Sequence, residues 1–201
     1  MQPSQSDQIL QFAQRQGLLR AADIRAQGWS PQLLIKLHRA GKLERVARGL
    51  YSLATTENTE HQVLMEVCKR VPKAVICLLS ALQFHDIGTQ LPHEVWIALP
   101  EATQTPRLDY PPLRVARLRG DAYSAGIETT TSNGNELRVY SVAKTVTDCF
   151  KFRHKIGLDV ALEALKEAWR ARKLSMDEVT RFARINRVEK VMQPYIESLV
   201  A

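Results

Sequence analysis

The chain has 201 residues, of which 45% are hydrophobic and 24% are charged. This composition excludes a disordered chain and is enough for one large domain or for a small module joined to a medium-sized one. The polar start contains no cationic stretch followed by an apolar run, so we expect neither a signal peptide nor a transmembrane helix, and a cytoplasmic location. Cys68, Cys77 and Cys149 form no C-x-x-C pair, and we expect them to be small buried hydrophobes.

The positive charge is concentrated near the N-terminus. The whole chain has a net charge of +7, and residues 1–56 hold eight basic and three acidic side chains, a net charge of +5. The remaining 145 residues carry 20 basic and 18 acidic side chains, a net charge of only +2. A localised basic segment of this kind is typical of nucleic-acid binding.

The first 56 residues predict three helices followed by a hairpin. The first helix begins at the caps Ser4 and Ser6 and ends at Gly17, and the second covers residues 20–27. Ser30 and Pro31 predict the N-cap and the first position of a third helix that extends to about residue 40. Strands over residues 43–46 and 50–53 follow, with a glycine turn between them. This order predicts a winged helix-turn-helix domain over residues 1–56.

The remaining residues, 57–201, predict a mixed α/β domain that ends in helices. A polar linker over residues 55–59 precedes it, and residues 106–112 are expected to be a loop. Helices are predicted over residues 60–71 and 77–85, then strands over 94–99, 113–118, 127–131 and 136–142, with a turn at 132–135. The last helices are predicted over residues 142–153, 158–173, 176–185 and from there to about 199. The fold class is therefore α+β.

The third predicted helix has one apolar and one polar side. Leu33, Leu37 and Ala40 share one side, with Leu34 beside them, and are expected to pack. The predicted DNA-binding residues lie on the opposite side, before the helix and in the hairpin: Ser30, Gln32, Lys36, Arg39, Lys42, Arg45 and Arg48.

These residues divide into two roles when the third helix is placed in the major groove of duplex DNA. Ser30, Gln32 and Lys36 are positioned to contact bases, since glutamine pairs with adenine and lysine donates to guanine. Arg39 and Lys42 lie late in the helix and suit phosphates. Arg45 and Arg48 would follow the backbone or enter the minor groove from the hairpin.

Residues 41–51 read G-K-L-x-R-V-x-R-G-L-Y, and this motif resembles the N-terminal winged helix of the AbiEi family of abortive-infection antitoxins. The resemblance extends more loosely through residues 74–85, 95–100 and 139–148. It implies a transcriptional repressor of its own operon. It also implies that the C-terminal domain counters a nucleotidyltransferase toxin in a type IV toxin-antitoxin system for phage defence, without a stable complex with the toxin.

Two other classes of function stay open. A winged helix can dock another protein without sequence-specific DNA binding. A nucleic-acid enzyme is disfavoured, because Ser80, His85 and Asp86 lie within two helical turns and no oxyanion loop is evident, so they are interpreted as structural. Asp86 with Glu94 lacks the lysine of metal-dependent nucleases.

The sequence predicts no cofactor and no metal. Its five histidines are isolated and no phosphate-binding glycine loop is present. Basic residues near positions 151–155 and 170–173 are interpreted as cations at helix ends, with a wider DNA footprint, RNA or an acidic partner as alternatives. A monomer and a homodimer are both compatible with the sequence.

Overall fold

The structure is a computed structural model that describes residues 4–47, 49–54, 61–108, 110–132 and 135–200. Its helices and sheets make the predicted α+β fold class correct. The chain forms two compact units, residues 1–70 with 130–137 (unit 1) and residues 71–129 with 138–201 (unit 2). The predicted linker and the boundary after residue 56 lie outside the described residues, as does the centre of the turn at 132–135, and the division into domains 1–56 and 57–201 stays a prediction.

Unit 1 begins with three helices, α1 (Gln5–Gln16), α2 (Ala21–Ala26) and α3 (Gln32–Arg39). The predicted cap of α1 is confirmed at Ser4, whose hydroxyl accepts a hydrogen bond from the Asp7 amide at 3.2 Å. The Asp7 carboxylate accepts one from the Ser4 amide, also at 3.2 Å, so the pair forms a capping box. Gly17 follows the helix with a φ of 67°, a conformation that costs glycine little.

The start of α3 differs from the prediction. Pro31, not Ser30, occupies the N-cap position, with φ −60° and ψ −20°. The Leu33 amide donates to the Ser30 carbonyl at 3.1 Å, three residues back, so the first turn is tighter than an α-helix. Proline favours this geometry because its ring fixes φ near that value, and the regular ladder therefore begins one residue later than expected.

A three-stranded antiparallel sheet completes the core of unit 1. Its strands are β1 (Leu19–Arg20), β2 (Leu43–Ala47) and β3 (Leu50–Leu53), in the order β1-β3-β2. The hairpin of β2 and β3 confirms the two predicted strands, whereas β1 was not predicted. The core is formed by residues from all of these elements: Ile9, Ala13, Leu19, Ile24, Leu34, Leu37, Leu43 and Tyr51.

The second sheet has five strands, β4 (Val75–Ile76), β5 (Val95–Pro100), β6 (Leu113–Leu118), β7 (Ile127–Ser132) and β8 (Asn135–Tyr140). Their order is β6-β5-β4-β8-β7. The sheet is mixed, since β5 runs parallel to β6, β4 is antiparallel to β5, and β4 is parallel to β8. All predicted strands are present, and only the two-residue β4 was missed.

The remaining helices are α4 (Gln62–Arg70), α5 (Leu78–Phe84), α6 (Asp121–Ser124), α7 (Val142–Lys151), α8 (Arg153–Ile156), α9 (Leu158–Arg170), α10 (Met176–Asn186) and α11 (Glu189–Val200). Ser141 and Ser175 cap α7 and α10 as predicted. The predicted helix over 142–153 is divided at Phe152 into α7 and α8. Helix α7 packs against α5, α9 and α10, which explains why every residue from Ala143 to Phe150 is buried.

One ion pair lies inside the core of unit 2. Lys144 is fully buried, and its ammonium group donates to both carboxylate oxygens of Asp148 at 2.5 and 2.6 Å. The side-chain amide of Asn186 donates to Asp148 at 2.7 Å, and the Lys144 ammonium also lies 4.2 Å from the Tyr140 ring centre. Burial raises the pKa of the Asp148 carboxyl, and Lys144 and Asn186 oppose this rise. The pair joins α7 to α10 through a polar network in an apolar surrounding.

The three cysteines are buried, as predicted, and none of them forms a disulfide. Within the described ranges no three histidine, cysteine or acidic side chains converge as metal ligands. In the same part of the chain, none of the helices combines the length and the apolar character that crossing a bilayer requires.

Candidate nucleic-acid interface

Helix α3 has one side in the core of unit 1 and one side in solvent. Leu34 and Leu37 are 1% and 3% exposed, and Leu33 packs against the same core. Ala40, which the pattern placed on the packed side, is exposed because α3 ends at Arg39 and Ala40 already begins the following turn. The two leucines therefore fix which side of the helix faces outward.

The outward side of α3 carries Gln32, Ile35, Lys36 and Arg39, which are related by steps of three or four residues, about one helical turn. Gln32, Lys36 and Arg39 are exposed, and among the described residues none of them has a hydrogen-bond or ion-pair partner for its side chain. Ile35 lies on the same side and is 47% exposed, which is unusual for a large apolar residue. The sequence analysis missed Ile35, although its three-residue spacing from Gln32 could have placed it on this face. Ser30 precedes the helix and is also exposed.

The end of α3 is closed by a glycine and a lysine. Gly41 has a φ of 68°, and the Lys42 amide donates to the Leu37 carbonyl at 3.0 Å, so the chain turns sharply here. The Lys42 side chain is exposed. Hydrogen bonds from Ser4 lower the pKa of Asp7, and the charge of Lys42 makes a smaller contribution in the same direction. Lys42 thus extends the cationic end of α3 toward the beginning of α1.

The hairpin brings a further arginine to the surface of unit 1. Arg45 is exposed, and its Nε donates a long hydrogen bond of 3.4 Å to the Ala47 carbonyl across an irregularity in the pairing of β2 and β3. Ala47 pairs with Leu50, and Gly49 has a φ of 75°. Arg48, the other predicted residue of the hairpin, lies outside the described residues.

Arg20, a basic residue of the N-terminal segment, forms an ion pair within unit 1. The Arg20 guanidinium pairs with Asp23 at 3.1 Å and donates to the Lys69 carbonyl at 2.7 Å, while the Lys69 ammonium lies 3.6 Å from the Asp23 carboxylate. Burial alone would raise the pKa of Asp23, but hydrogen bonds from Arg20 and the nearby cations lower it below its ordinary value. Arg20 therefore links α2 to α4 and is not part of the exposed cationic surface.

The residues considered for catalysis have structural contacts in unit 2. The buried Ser80 hydroxyl accepts a hydrogen bond from the Trp96 amide at 3.0 Å. His85 ends α5, and its Nε2 lies 2.7 Å from the Tyr140 carbonyl. Glu94 pairs with Arg114 at 3.0 Å. Each contact ties one of these side chains to a neighbouring strand.

The N-terminal region is similar to a family of transcriptional regulators. Residues 7–54 match the family model described as "Transcriptional regulator, AbiEi antitoxin". This match confirms the resemblance that the sequence motif indicated, and it covers α1 from residue 7 together with α2, α3 and the three strands of unit 1. The remaining residues lie outside the match.

A solved structure has the same fold over most of the chain. It is the crystal structure of the RV2827C protein from Mycobacterium tuberculosis, with a TM-score of 0.60 and 13% sequence identity. The similarity covers 92% of this chain and 72% of that one, and at this identity it concerns the fold alone. No curated protein matches the chain.

Proposed function

We propose that residues 1–56 form a winged helix-turn-helix domain that binds duplex DNA, and that the protein represses transcription of its own operon. The observation that carries this proposal is the outward side of α3, where Gln32, Lys36 and Arg39 are exposed without a partner among the described residues. This surface lies within the segment that matches a family of transcriptional regulators. A helix followed by a hairpin is also the arrangement with which winged helices contact DNA.

The residues of the surface suit different parts of the DNA. With α3 in the major groove, Gln32 and Lys36 reach base edges and Ser30 stands at the start of the helix. Ile35 adds an apolar contact that fits the methyl group of thymine. Arg39, Lys42, Arg45 and Arg48 are assigned to phosphates, which position the protein without reading the sequence.

We further infer that the protein is the antitoxin of a type IV system and acts without catalysis in the cytoplasm. Its partner would be a nucleotidyltransferase toxin that it counters without forming a stable complex. The word antitoxin in the description of the matching family supports this step. The antitoxin activity is assigned to residues 57–201, since the surface of α3 already accounts for DNA binding by residues 1–56.

DNA binding is tested by an electrophoretic shift of the full chain with the DNA upstream of its own gene, repeated over a range of salt concentrations. We expect a specific shift that weakens steeply as salt rises, because binding to phosphates releases counterions. A random duplex of the same length and the variant Arg15→Ala serve as controls, since Arg15 is an exposed arginine late in α1 and outside α3 and the hairpin. If no shift occurs at low salt, the winged helix is a protein-docking module instead.

The antitoxin role is tested by co-expressing the full chain with a nucleotidyltransferase encoded beside its gene. We expect growth to be restored, and a pull-down from the same cells to recover no stable complex. A variant with weakened operator binding, such as Lys36→Ala, should still protect. Toxicity that persists with well-expressed protein would refute the role.

A further inference from the structure

Unit 2 contains a surface cavity of about 540 Å³ formed where the ends of several elements meet. Its lining includes the end of β6 with the start of α6, the end of α7 and the end of α10. A volume of this size fits a small molecule of several rings rather than a single ion. The cavity belongs to unit 2, whereas the surface proposed to bind DNA belongs to unit 1.

The lining is rich in positive charge. It contains four basic residues and two acidic residues: Arg117, Arg119, Lys151, Arg187, Glu101 and Asp121. Arg119 forms an ion pair with Glu101. Arg117 is held by the carbonyls of Pro100 and Thr103 and by the Thr105 hydroxyl, the last at 2.6 Å. These two arginines are therefore engaged by the protein itself.

Lys151 and Arg187 differ from the other two cations. Within the part of the chain that the structure describes, neither side chain has an ion pair or a hydrogen bond. Lys151 is half-buried, and its pKa is lowered by burial and by the charges of Lys144 and Arg187, against the opposing effect of Asp148. A half-buried cation next to a second cation is stabilised when an anion binds between them.

We propose that this cavity binds a small phosphorylated molecule of nucleotide size. The side chains of Lys151 and Arg187 donate hydrogen bonds to its phosphate oxygens. An arginine fork and a lysine ammonium are the side chains that proteins use for this group. Asp121, the one acid of the lining without an ion pair among the described residues, accepts a hydrogen bond from a hydroxyl group of the same ligand. A nucleoside phosphate combines both groups at a size that the cavity holds.

The chain offers a matched pair of arginines for the test. Arg187 ends α10 with a φ of 57°, and Arg172 follows α9 with a φ of 54°. The residue after each donates its amide to the carbonyl five positions back, Val188 to Ala183 and Lys173 to Ala168, both at 2.9 Å. Glycine is preferred at this position, so R187G and R172G both relieve backbone strain. Only Arg187 lines the cavity.

The experiment is isothermal titration calorimetry of the full chain with AMP, ATP, inorganic phosphate and adenosine, combined with thermal unfolding of each variant. We expect AMP or ATP to bind and adenosine not to bind. R187G and K151M should each weaken binding at least tenfold, R172G should leave it unchanged, and R187G and R172G should raise Tm by similar amounts.

Loss of binding in a variant with an equal or higher Tm separates a ligand contact from a folding defect. The proposal is overturned if the wild-type protein binds no phosphorylated probe, or if K151M and R187G bind as the wild type does. In that case the two cations serve only the negative ends of α7 and α10. It is also overturned if these variants weaken binding to duplex DNA while no nucleotide binds, because the surface would then contact the DNA backbone.

Discussion

The basic side chains of α3 in unit 1 and the buried Lys144 of unit 2 have opposite surroundings. In unit 1 the cations of α3 are exposed and have no partner among the described residues, whereas in unit 2 Lys144 is fully buried and bound to Asp148. A lysine in solvent is free to bind a phosphate, while a lysine in the core must keep its counter-ion or lose much of the stability of the fold. The same residue type thus belongs to the surface proposed for recognition at Lys36 and to the folded core at Lys144.

The largest expected effect is on the buried ion pair. Lys144→Met should lower the free energy of unfolding by about 3–5 kcal/mol, because it leaves the Asp148 carboxylate buried without its cation. Urea unfolding of the full chain measures this loss. Lys190→Met, which changes an exposed lysine of α11 in the same way, should alter stability by less than about 0.5 kcal/mol. The double variant K144M/D148L should recover most of the loss. A K144M variant as stable as the wild type would contradict the structural role assigned to the buried ion pair.

The next effect is on sequence recognition by α3. Lys36→Ala and Gln32→Ala should each cost about 1–3 kcal/mol of binding to the operator, because each removes a base contact. The loss on random DNA should be smaller, and Tm should not change, because both side chains are exposed. Quantitative gel shifts on operator and random DNA give the ratio of the two affinities for each variant. Equal losses on operator and random DNA would assign these residues to the phosphate backbone.

Ile35 gives a sharper test of the same helix face. Ile35→Ala should weaken operator binding by about 1 kcal/mol, because it removes an apolar contact with a base, and it should leave Tm unchanged. Leu34→Ala, on the packed side, should instead lower the free energy of unfolding by about 2–5 kcal/mol. A large loss of stability in Ile35→Ala would show that this residue packs against the protein rather than DNA.

Arg45 should contribute to affinity but not to sequence preference. Arg45→Ala should reduce the slope of log affinity against log salt by about 0.9, the value for one phosphate contact, on operator and random DNA alike. The salt series with wild type and variant measures the slope. An unchanged slope would mean that the described part of the hairpin does not touch the DNA backbone.

The smallest effect concerns the charged link between α2 and α4. The pKa of Asp23 is lowered in the folded protein, so its contribution to stability is complete above about pH 5 and is lost as the pH falls through the folded-state pKa, below about pH 3.9. Asp23→Asn should therefore cost about 1 kcal/mol at pH 7 and less at pH 3. Glu66 is the opposite case, since burial raises its pKa, and Glu66→Gln should increase stability at pH 7. A D23N loss that does not depend on pH would contradict the role of its charge.

The elements that the sequence predicted well are those with local signals. Helix α1 has its capping box, the glycines at 17 and 41 end helices, and Ser141 and Ser175 cap α7 and α10. Strand β5 is a continuous apolar run of six residues, and β6 is apolar except for Arg114 and Arg117. The strands β1 and β4 were missed because each has only two residues and is a strand only through its pairing with another strand. Leu19 pairs with Tyr51, and Val75 pairs with Ala98. Such pairing has no periodicity to detect.

The candidate site was predictable only where its residues have a local pattern in the sequence. Helical spacing placed Gln32, Lys36 and Arg39 together on one face, and the structure leaves all three exposed. The charge count also included Arg20, but its partners Asp23 and the Lys69 carbonyl belong to α2 and α4, and a contact across 49 positions leaves no mark in the sequence. The cavity of unit 2 depends on the meeting of four distant segments, so the sequence analysis saw Lys151 only as a member of a basic run and did not single out Arg187.

Unit 1 is not continuous along the chain. The backbone amide of Leu18 is buried, and it donates to the side chain of Asn135 at 3.1 Å, so residues 130–137 complete a unit that otherwise ends at residue 70. A fragment cut after residue 75 would lose this hydrogen bond and leave that amide only its contact with the Gln16 carbonyl at 2.8 Å, at a cost of about 0.5–1.5 kcal/mol. A gene fusion that transfers only the first 56 codons to another protein would have the same defect. Unit 1 can therefore be transferred to another protein with all of its contacts only when this second segment is transferred with it.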